Sequence, residues 1–321
     1  MHPVKLFIPK PTGGLYMNRR LFLRNTLAGA AGSMAGLLPM SALANNDVIR
    51  LTILHTNDLH SRIEPFEDSH PRFAGRGGFA RVAGFVNSCR QENPNLLLLD
   101  AGDFFQGTPY FNFYGGELLF DLMTKMGYDA ATLGNHEFDN GLQGLLDPLP
   151  RAGFPIINSN YDFSGTILEG KFPRYKILNK GGLKIGIYGL GIELSGLVNQ
   201  KQYGGVRYTD PVSIALEMES YLSIDRSCDL VVCLSHLGFQ YQNEKISDMA
   251  LAPLTNYTDL IIGGHTHTYL EEPVSVVNKL GRTVLVNQAH TGGLAVGRLD
   301  FVFERESGRN KKLLSASIAM L

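Results

Sequence analysis

The stretch Leu96-Leu97-Leu98-Leu99-Asp100-Ala101-Gly102-Asp103-Phe104-Phe105-Gln106 decides the fold, because four consecutive leucines lead directly into a glycine and a carboxylate. A short, wholly apolar run bounded by turn residues is typical of a strand buried on both faces. Similar runs end in polar segments elsewhere along the chain, at Val48 to Leu54, Tyr128 to Leu133, Leu230 to Leu234 and Leu260 to Ile262. Helix-like segments alternate with these strands, which predicts an α/β fold.

The remaining elements follow from the same periodicity. Apolar residues at helical spacing predict helices at 79–93, 116–126, 141–152, 211–224 and 246–254. Further strands are predicted at 154–158, 175–178 and 184–190, and antiparallel strands at 274–277, 283–287, 294–303 and 313–318. No repeat or linker interrupts the chain after Asn45, so we expect one domain at 45–321.

The composition is that of a globular protein. The chain has 321 residues, of which 44% are hydrophobic and 18% charged, and this excludes a disordered or fibrous protein. Residues 1–44 contain five basic and no acidic residues, so the rest of the chain has 24 basic against 30 acidic residues and a formal charge of −6. An acidic domain without a basic run is unsuited to nucleic acid, whereas a small phosphorylated substrate could bind beside divalent cations.

The N-terminus has the three parts of an export signal. Arg19 and Arg20 precede an apolar Ala/Gly/Leu-rich run, and Ala42 and Ala44 suit cleavage before Asn45. The paired arginines indicate a twin-arginine signal over residues 1–44, and hence a periplasmic or otherwise exported protein. A retained membrane anchor is the alternative, but the uncharged run is shorter than the roughly 20 residues that a bilayer requires. Met17 is an alternative start, which would leave residues 1–16 upstream of the protein.

Three cysteines, Cys89, Cys228 and Cys233, provide no disulfide framework. One bridge would be permitted outside the cytoplasm. Since Cys228 and Cys233 flank an apolar run, we expect all three to be buried structural residues.

Side chains that can bind metals follow five of the predicted strands: Asp58, His60, Asp103, Asn135, His136, His236, His265 and His267. The carboxyl ends of strands in an α/β sheet line one edge, so these loops should meet in one crevice. Asp58 and His60 are two residues apart, and extended backbone would point both the same way, as it would for His265 and His267. Any one of these residues alone is more simply a hydrogen-bonded loop residue, but five strand ends together favour a metal site.

The ligand types indicate which metals fit. Aspartate, asparagine and histidine without a thiolate suit Mn, Fe, Zn or similar divalent ions, and argue against a closed structural zinc site. The two oxygens of Asp103 could bridge two cations. The sequence therefore predicts a site for divalent metal ions.

Five motifs occur in a fixed order: His55-Thr-Asn-Asp-Leu-His60, Gly102-Asp-Phe-Phe-Gln-Gly-Thr108, Gly134-Asn-His-Glu-Phe-Asp139, Ser235-His236 and Gly263-Gly-His-Thr-His267. Over about residues 48–305 the chain resembles the calcineurin-like metallophosphoesterases, in the branch of 5'-nucleotidases, UDP-sugar hydrolases and 2',3'-cyclic phosphodiesterases. The resemblance implies a four-layer β-sandwich of two mixed sheets flanked by helices, in place of a simple doubly wound sheet.

The resemblance also implies roles for individual residues. Asp58, His60, Asp103 and His267 would bind one metal ion, and Asp103, Asn135, His236 and His265 a second, with a bridging hydroxide attacking phosphorus. His136 would stabilise or protonate the leaving group, Asp139 would orient it, and Asn135 and His136 would contact the substrate. The ions would be Mn, Zn or Fe. Asn57, which precedes the first ligand pair, is a weaker candidate. His290 follows another predicted strand and could line the site, but an ordinary loop histidine is the simpler interpretation.

Relatives in this branch continue into a second, nucleotide-binding domain, which we expect to be absent from this chain. The main hypothesis is an exported dinuclear phosphoesterase acting on nucleotide-type esters. Cyclic phosphodiesterase and nucleotide-sugar pyrophosphatase activities are close variants. A hypothesis of another class is a non-catalytic or partner-dependent metal-binding subunit whose substrate domain is a separate polypeptide.

Overall fold

The leucine run forms a central strand of the first of two large sheets. The structure is a computed structural model that describes residues 48–304 and 311–321, excepting the side chains of 311–315. The predicted signal at 1–44 lies outside these residues. The first sheet has the strand order β14-β13-β1-β2-β3-β4. Its strands are β1 Val48–Thr56, β2 Leu96–Asp100, β3 Ala130–Thr132, β4 Ile156–Ile157, β13 Ala295–Glu304 and β14 Lys311–Met320.

The second sheet has the strand order β11-β12-β10-β9-β7-β6. Its strands are β6 Tyr175–Lys180, β7 Leu183–Leu190, β9 Leu230–Ser235, β10 Leu260–Gly263, β11 Val274–Val277 and β12 Thr283–Asn287. Both sheets are mixed: β1 to β4 are parallel neighbours, as are β7, β9, β10 and β12. Strand β13 pairs antiparallel with β1, and the antiparallel hairpins β13–β14, β6–β7 and β11–β12 lie at sheet edges. A two-stranded sheet joins β5 Tyr161–Asp162 to β8 Arg207–Tyr208.

The two large sheets pack face to face. Leu97 and Leu99 of β2 point into a core that also contains Ile187 of β7 and Leu234 of β9. The alternate residues Leu96 and Leu98 join a second core beneath helices on the outer face of the first sheet. A third core covers the outer face of the second sheet. Strand β2 is thus buried on both faces, which explains its uninterrupted leucines.

The helices form the two outer layers, and they are α1 Phe79–Glu92, α2 Pro109–Tyr114, α3 Glu117–Met126, α4 Gly141–Leu146, α5 Pro211–Ser220 and α6 Asp248–Leu251. The predicted four-layer sandwich of two mixed sheets is therefore confirmed. The described residues, 48–304 and 311–321, belong to one compact unit. Among the described residues, no helix is long and apolar enough to cross a bilayer.

Several predicted boundaries were wrong because local signals broke the helices. The helix predicted at 141–152 ends at Leu146, since Pro148 lacks an amide hydrogen, and a 3₁₀ turn follows at Leu149–Arg151. The helix predicted at 246–254 is α-helical only over α6 and continues as a 3₁₀ turn. Helix α2, with proline at its first position, was missed. Cys89 and Cys233 are buried as expected, but Cys228 is only half-buried.

Candidate metal centre

The loops that follow five parallel strands meet at one edge of the sandwich. Strands β1, β2 and β3 of the first sheet lead into Asp58 and His60, Asp103, and Asn135 and His136. Strands β9 and β10 of the second sheet lead into His236, His265 and His267. The loops after β1 and β2 are joined by backbone hydrogen bonds, Asp58 N to Gly102 O at 2.9 Å and His60 N to Asp103 O at 3.0 Å. The fold therefore brings together residues from distant parts of the chain.

The backbone at these positions is left-handed, which corrects the expectation of extended backbone. Positive φ angles occur at five predicted ligands, Asp58 (51°), His60 (48°), Asp103 (57°), His265 (70°) and His267 (52°). Left-handed backbone is uncommon for residues other than glycine and is found where surrounding structure enforces it, often at functional sites. Sharp turns at the strand ends, and not an extended run, bring these side chains together.

One group of ligand-type atoms surrounds Asp58. Its Oδ1 lies 3.3 Å from His267 Nε2 and 3.8 Å from His60 Nε2, and the two ring nitrogens are 3.0 Å apart. All three side chains can offer one ligand atom within 4.8 Å of the others. A carboxylate and two imidazoles converging in this way form a donor set suited to a divalent cation.

A second group surrounds Asp103, whose Oδ2 lies 3.0 Å from His236 Nε2. Asp103, His236 and His265 can also offer ligand atoms within 4.8 Å of one another. His265 Nδ1 lies 2.9 Å from Asn135 Oδ1, which places the amide beside this group. Asp103 forms a further such group with His60 and His136, so its carboxylate lies between the two sets.

His236 gives a test of whether these residues fit a metal ion. Its Nδ1 donates to the carbonyl oxygen of Ala101 at 2.6 Å, so in the neutral ring Nε2 carries a lone pair. That Nε2 is buried and has no hydrogen-bond partner among the described residues, although a carboxylate oxygen lies close by. A lone pair facing a carboxylate requires a positive charge between them, either a proton or a cation. The residues therefore fit a bound cation.

The pKa values of His236, Asp103 and His265 follow from burial and from the charges that these side chains place on one another. Burial alone would lower the pKa of His236, but the Asp103 carboxylate outweighs it and raises the pKa to about 10. His236 in turn outweighs the burial of Asp103 and lowers the pKa of that carboxyl. Burial, with the charge of His236, lowers the pKa of His265 to about 4, so His265 is a neutral imidazole able to bind a metal.

His136 and Asp139 form a pair beside the two groups. His136 Nδ1 donates to Asp139 Oδ2 at 2.7 Å, and the backbone N–H of His136 donates to Asp103 Oδ1 at 2.8 Å. Burial opposes the charged imidazole, yet the hydrogen bond with Asp139 and the charge of Asp103 raise the pKa of His136 to about 9. The ring is one-third exposed and lies 5.2 Å from the ring of His60. His136 is therefore a protonated donor at the rim of the site.

Glu137 supports the site, although its place in the motif predicts no role for it. Its buried carboxylate accepts three backbone N–H groups, from Asp103 at 3.0 Å, Phe105 at 3.0 Å and Gly134 at 2.6 Å. These bonds tie the loop after β2 to the loop after β3. Burial and the charge of Asp103 raise the pKa of Glu137 to about 7. A glutamate between a histidine and a phenylalanine was visible in the motif, but its contacts depend on the fold.

Gly134 makes room for Asp103. A Cβ atom at this position would lie 2.1 Å from Asp103 Oδ1, far inside van der Waals contact. The carboxylate can therefore occupy its position only if residue 134 lacks a side chain.

The other candidates lie around this centre. Asn57 donates through Nδ2 to Asp58 Oδ2 and to the carbonyl of His290, both at 2.6 Å, and so orients the carboxylate. The His290 ring belongs to neither ligand group and contacts Phe73 instead. The ligand and catalytic roles stay predictions.

The sequence profile described as calcineurin-like phosphoesterase matches residues 51–269, and the chain belongs to that family. Snake venom 5'-nucleotidase of Gloydius brevicauda is 36% identical over 295 residues, which are 84% of this chain and 49% of that protein. Among solved structures, a 5'-nucleotidase precursor from Thermus thermophilus is 34% identical with a TM-score of 0.74, covering 85% of this chain and 54% of that one. An NAD nucleotidase of Haemophilus influenzae is 29% identical with a TM-score of 0.74, covering 86% and 51%.

The chain spans about half the length of the 5'-nucleotidases it matches. The matched half contains the fold and the candidate metal centre described above. What the relatives do as whole proteins is therefore carried over to this chain only as a proposal.

Proposed function

We propose that this chain is an exported, two-metal phosphoesterase that hydrolyses nucleotide-type phosphate esters. The observation that carries the proposal is the convergence of seven ligand-type side chains from both sheets into two adjacent groups, with Asp103 in one group and within reach of His60 of the other. A structural site would need one closed set of ligands, whereas a shared carboxylate suits two adjacent ions and leaves room for substrate. His136, paired with Asp139 at the rim, adds a side chain that could act on a substrate.

The assignment of residues to two cations follows the two groups. Asp58, His60 and His267 would hold the first, and Asn135, His236 and His265 the second, with Asp103 contacting both. When bound, the ions supply Lewis-acid chemistry, since they hold phosphoryl oxygens and lower the pKa of water. Mn, Zn and Fe all accept this mixture of oxygen and nitrogen ligands.

His136 would protonate the leaving group. The reaction forms a bond between a water oxygen and phosphorus and breaks the bond from phosphorus to the ester oxygen, which departs with a proton from His136. Asp139 keeps that proton on the ring by accepting from Nδ1 at 2.7 Å, which leaves Nε2 to donate. General-acid assistance of this kind contributes about 10²- to 10⁴-fold in rate. The proton on the attacking water later restores the imidazolium.

Nucleotides are the proposed substrate class because the matched relatives include 5'-nucleotidases and an NAD nucleotidase. The 2',3'-cyclic nucleotides and nucleotide sugars are close alternatives, since the same centre can attack either ester. Export through the twin-arginine signal at residues 1–44 remains part of the proposal. It rests on Arg19, Arg20 and the apolar run that follows them.

A second candidate is a metal-binding subunit that requires a separate substrate-binding polypeptide. The same convergence of ligand-type side chains supports it, because these side chains would bind ions in either case. On this hypothesis the metal centre binds ions but turns over substrate only when the partner is present.

The test is hydrolysis by the full chain after chelation and re-addition of Mn, Zn or Mg. The substrates are an aryl phosphate, AMP, UDP-glucose and 2',3'-cyclic AMP. His136→Ala is the matched variant, because the metal ligands remain and its metal content can be measured beside that of the unsubstituted protein. Expected are two ions per chain in both proteins and turnover that falls at least about 10²-fold in the variant.

Each other outcome is informative. Full metal occupancy without turnover on any substrate would favour the partner-dependent subunit. Equal turnover in His136→Ala and in the unsubstituted protein would contradict the role of His136 as general acid. A single ion per chain would contradict the shared role of Asp103.

A further inference from the structure

A row of aromatic rings lies beside the Asp58 side of the metal centre. It begins in the loop between β1 and α1 and ends in the loops after β12 and β10. We name it the ring row, and its members are Phe66, His70, Phe73, His290 and Tyr269. Phe73 and His70 stack at 5.2 Å with an interplanar angle of 18°, His290 meets Phe73 edge-on at 5.2 Å, and Tyr269 lies 6.2 Å from His290.

Backbone hydrogen bonds fix the last two rings. The N–H of His290 donates to the carbonyl of Thr268 at 3.0 Å, and Tyr269 forms a β-bridge with Ala289. His290 has left-handed backbone, with φ at 63°, which is uncommon for a residue that is not glycine. The two rings are therefore held as neighbours before any ligand arrives.

Asn57 connects the ring row to the metal centre. Its amide donates both to Asp58 Oδ2 and to the carbonyl of His290 at 2.6 Å, and its Oδ1 accepts from Ala289 N at 2.7 Å. Tyr269 lies two residues beyond His267 in the same loop. Any ligand whose phosphate is held by the predicted metal ligands would thus have the ring row next to it.

Two features separate the ring row from ordinary packing. Tyr269 is 37% exposed although its ring is large and mostly apolar. His290 Nδ1 is buried, and it has no hydrogen-bond partner within the part of the chain that the structure describes. Tyr269 thus exposes ring surface to a ligand, and the neighbouring His290 keeps a buried polar atom that no described residue uses.

The charge of the surrounding loop indicates what would bind. Residues 62–76 contain three arginines, Arg62, Arg72 and Arg76, and three acids, Glu64, Glu67 and Asp68, so their formal charges cancel. The guanidinium groups of Arg62 and Arg72 already form cation–π contacts, with the rings of Phe66 and Phe73 respectively. A flat, uncharged aromatic group therefore fits this surface better than a second phosphate, and nucleobases bind aromatic side chains by stacking.

We propose that the ring row binds the nucleobase of the substrate, with Tyr269 and His290 forming the stacking surface. This assignment rests on the proposed function for the phosphate end of the substrate. It makes the chain's own metal domain a determinant of selectivity for nucleotides over other phosphate esters.

The first test measures binding without hydrolysis. Adenosine carries no phosphate, so saturation-transfer NMR with the full chain reports contacts to the base whether or not the protein is an active enzyme. We expect saturation of the adenine H2 and H8 protons of adenosine and no saturation of free ribose. The adenosine signal should be lost in Tyr269→Leu and in His290→Asn. Asparagine is chosen at position 290 because it tolerates left-handed backbone.

The second test compares kcat/KM for AMP with kcat/KM for ribose 5-phosphate, which lacks the base. Each variant should lower the ratio by about 5-fold or more, the factor that one stacked ring contributes. Tyr221→Leu is the matched control, because Tyr221 also pairs with another aromatic ring, Tyr175, away from the ring row. Adding salt should leave the ratio unchanged, since stacking is not an ionic contact.

The outcomes separate this proposal from the proposed function. AMP hydrolysis with no adenosine signal and an unchanged ratio would overturn the ring row and leave the phosphoesterase standing. Adenosine binding that the variants abolish, without hydrolysis of any substrate, would support the ring row and contradict the proposed phosphoesterase activity. An equal fall for both substrates would mean that the rings only support the loop, and would overturn the proposal.

Discussion

At the scale of single residues, the centre depends on groups that never contact a substrate. Asp103 is placed by its own left-handed backbone, by the space that Gly134 leaves, and by Glu137, which accepts its N–H. Partners of this kind, which orient metal ligands, typically change metal affinity or activity by about 10- to 100-fold when they are lost. Glu137 is therefore the sharpest residue to test outside the predicted ligands.

We expect Glu137→Gln to weaken metal binding by about 10- to 100-fold. The glutamine amide would present N–H groups to the backbone donors of Asp103, Phe105 and Gly134, and would release the two loops. Glu219→Gln is the matched control. Glu219 is equally buried and accepts from Asn256, Tyr257 and Thr258, outside the strand-end loops that carry the predicted ligands.

Metal titration after chelation, followed by elemental analysis, checks the expectation for both variants. The control should lose stability while keeping the metal affinity of the unsubstituted protein. If the two variants lose metal affinity to the same extent, the effect is general destabilisation, and the positioning role of Glu137 is wrong.

At the scale of elements, the decisive units are turns at the ends of parallel strands. Left-handed turns follow three of the five strands, β1, β2 and β10, and aim their ligand-type side chains into the crevice. Helices matter less to the site than to the cores that fix the strands. A substitution that fills a strand-end turn should therefore affect metal binding more than one in a helix.

We expect Gly134→Ala to displace the Asp103 carboxylate and to reduce the metal content by at least one ion per chain. The added Cβ would lie 2.1 Å from Oδ1, a distance that cannot be kept. Gly84→Ala in α1 is the matched control, since nothing lies within 4 Å of a Cβ there. That control should stabilise the helix by about 0.5–1 kcal/mol and leave metal content unchanged.

Elemental analysis of the two alanine variants measures their metal content, and thermal unfolding measures their stability. Normal metal content in Gly134→Ala would show that Asp103 can move without losing its role, which would count against the shared carboxylate.

At the scale of the whole molecule, one buried polar contact joins the two sheets. His55 of β1 accepts a hydrogen bond through Nε2 from Asn287 Nδ2 of β12 at 3.0 Å. Gly297 of β13 makes space for this ring, because a Cβ there would lie 1.9 Å from His55 Nε2. Burial lowers the pKa of His55 to about 3, so the ring is neutral in the folded protein at neutral pH.

This contact should make the protein acid-sensitive. The pKa of His55 is about 6.5 in the unfolded chain, so between pH 6.5 and about 3 the unfolded state binds one more proton than the folded state. Stability from this group is fully present above pH 6.5 and falls by about 1.4 kcal/mol per pH unit as the pH drops through that window. His55→Gln removes the titration and retains an acceptor for Asn287.

Urea unfolding at pH 7.5, 6 and 5 in the presence of a chelator measures the difference. We expect the variant to be less stable at pH 7.5, and its free energy of unfolding to fall less steeply toward pH 5. Parallel curves for the two proteins would show that His55 does not titrate across folding.

Much of this protein is determined by local sequence. The leucine run of β2 and its counterparts predict buried strands, because an uninterrupted apolar run is stable only between two layers. The residues that follow each strand predict a metal site, because parallel strands must end at a common edge. The end of α4 at Leu146 is also a local signal, because Pro148 lacks an amide hydrogen and stops the longer helix that periodicity predicts.

Only the tertiary structure decided how these parts meet. The left-handed backbone at Asp58 and His267, the three bonds to Glu137, the contact of His55 with Asn287 and the ring row all depend on segments far apart in the chain. Such contacts leave no periodic signal, because their partners are chosen by packing and not by neighbours in sequence. The residue types were therefore readable from the sequence, while their geometry came from the packing of the two sheets.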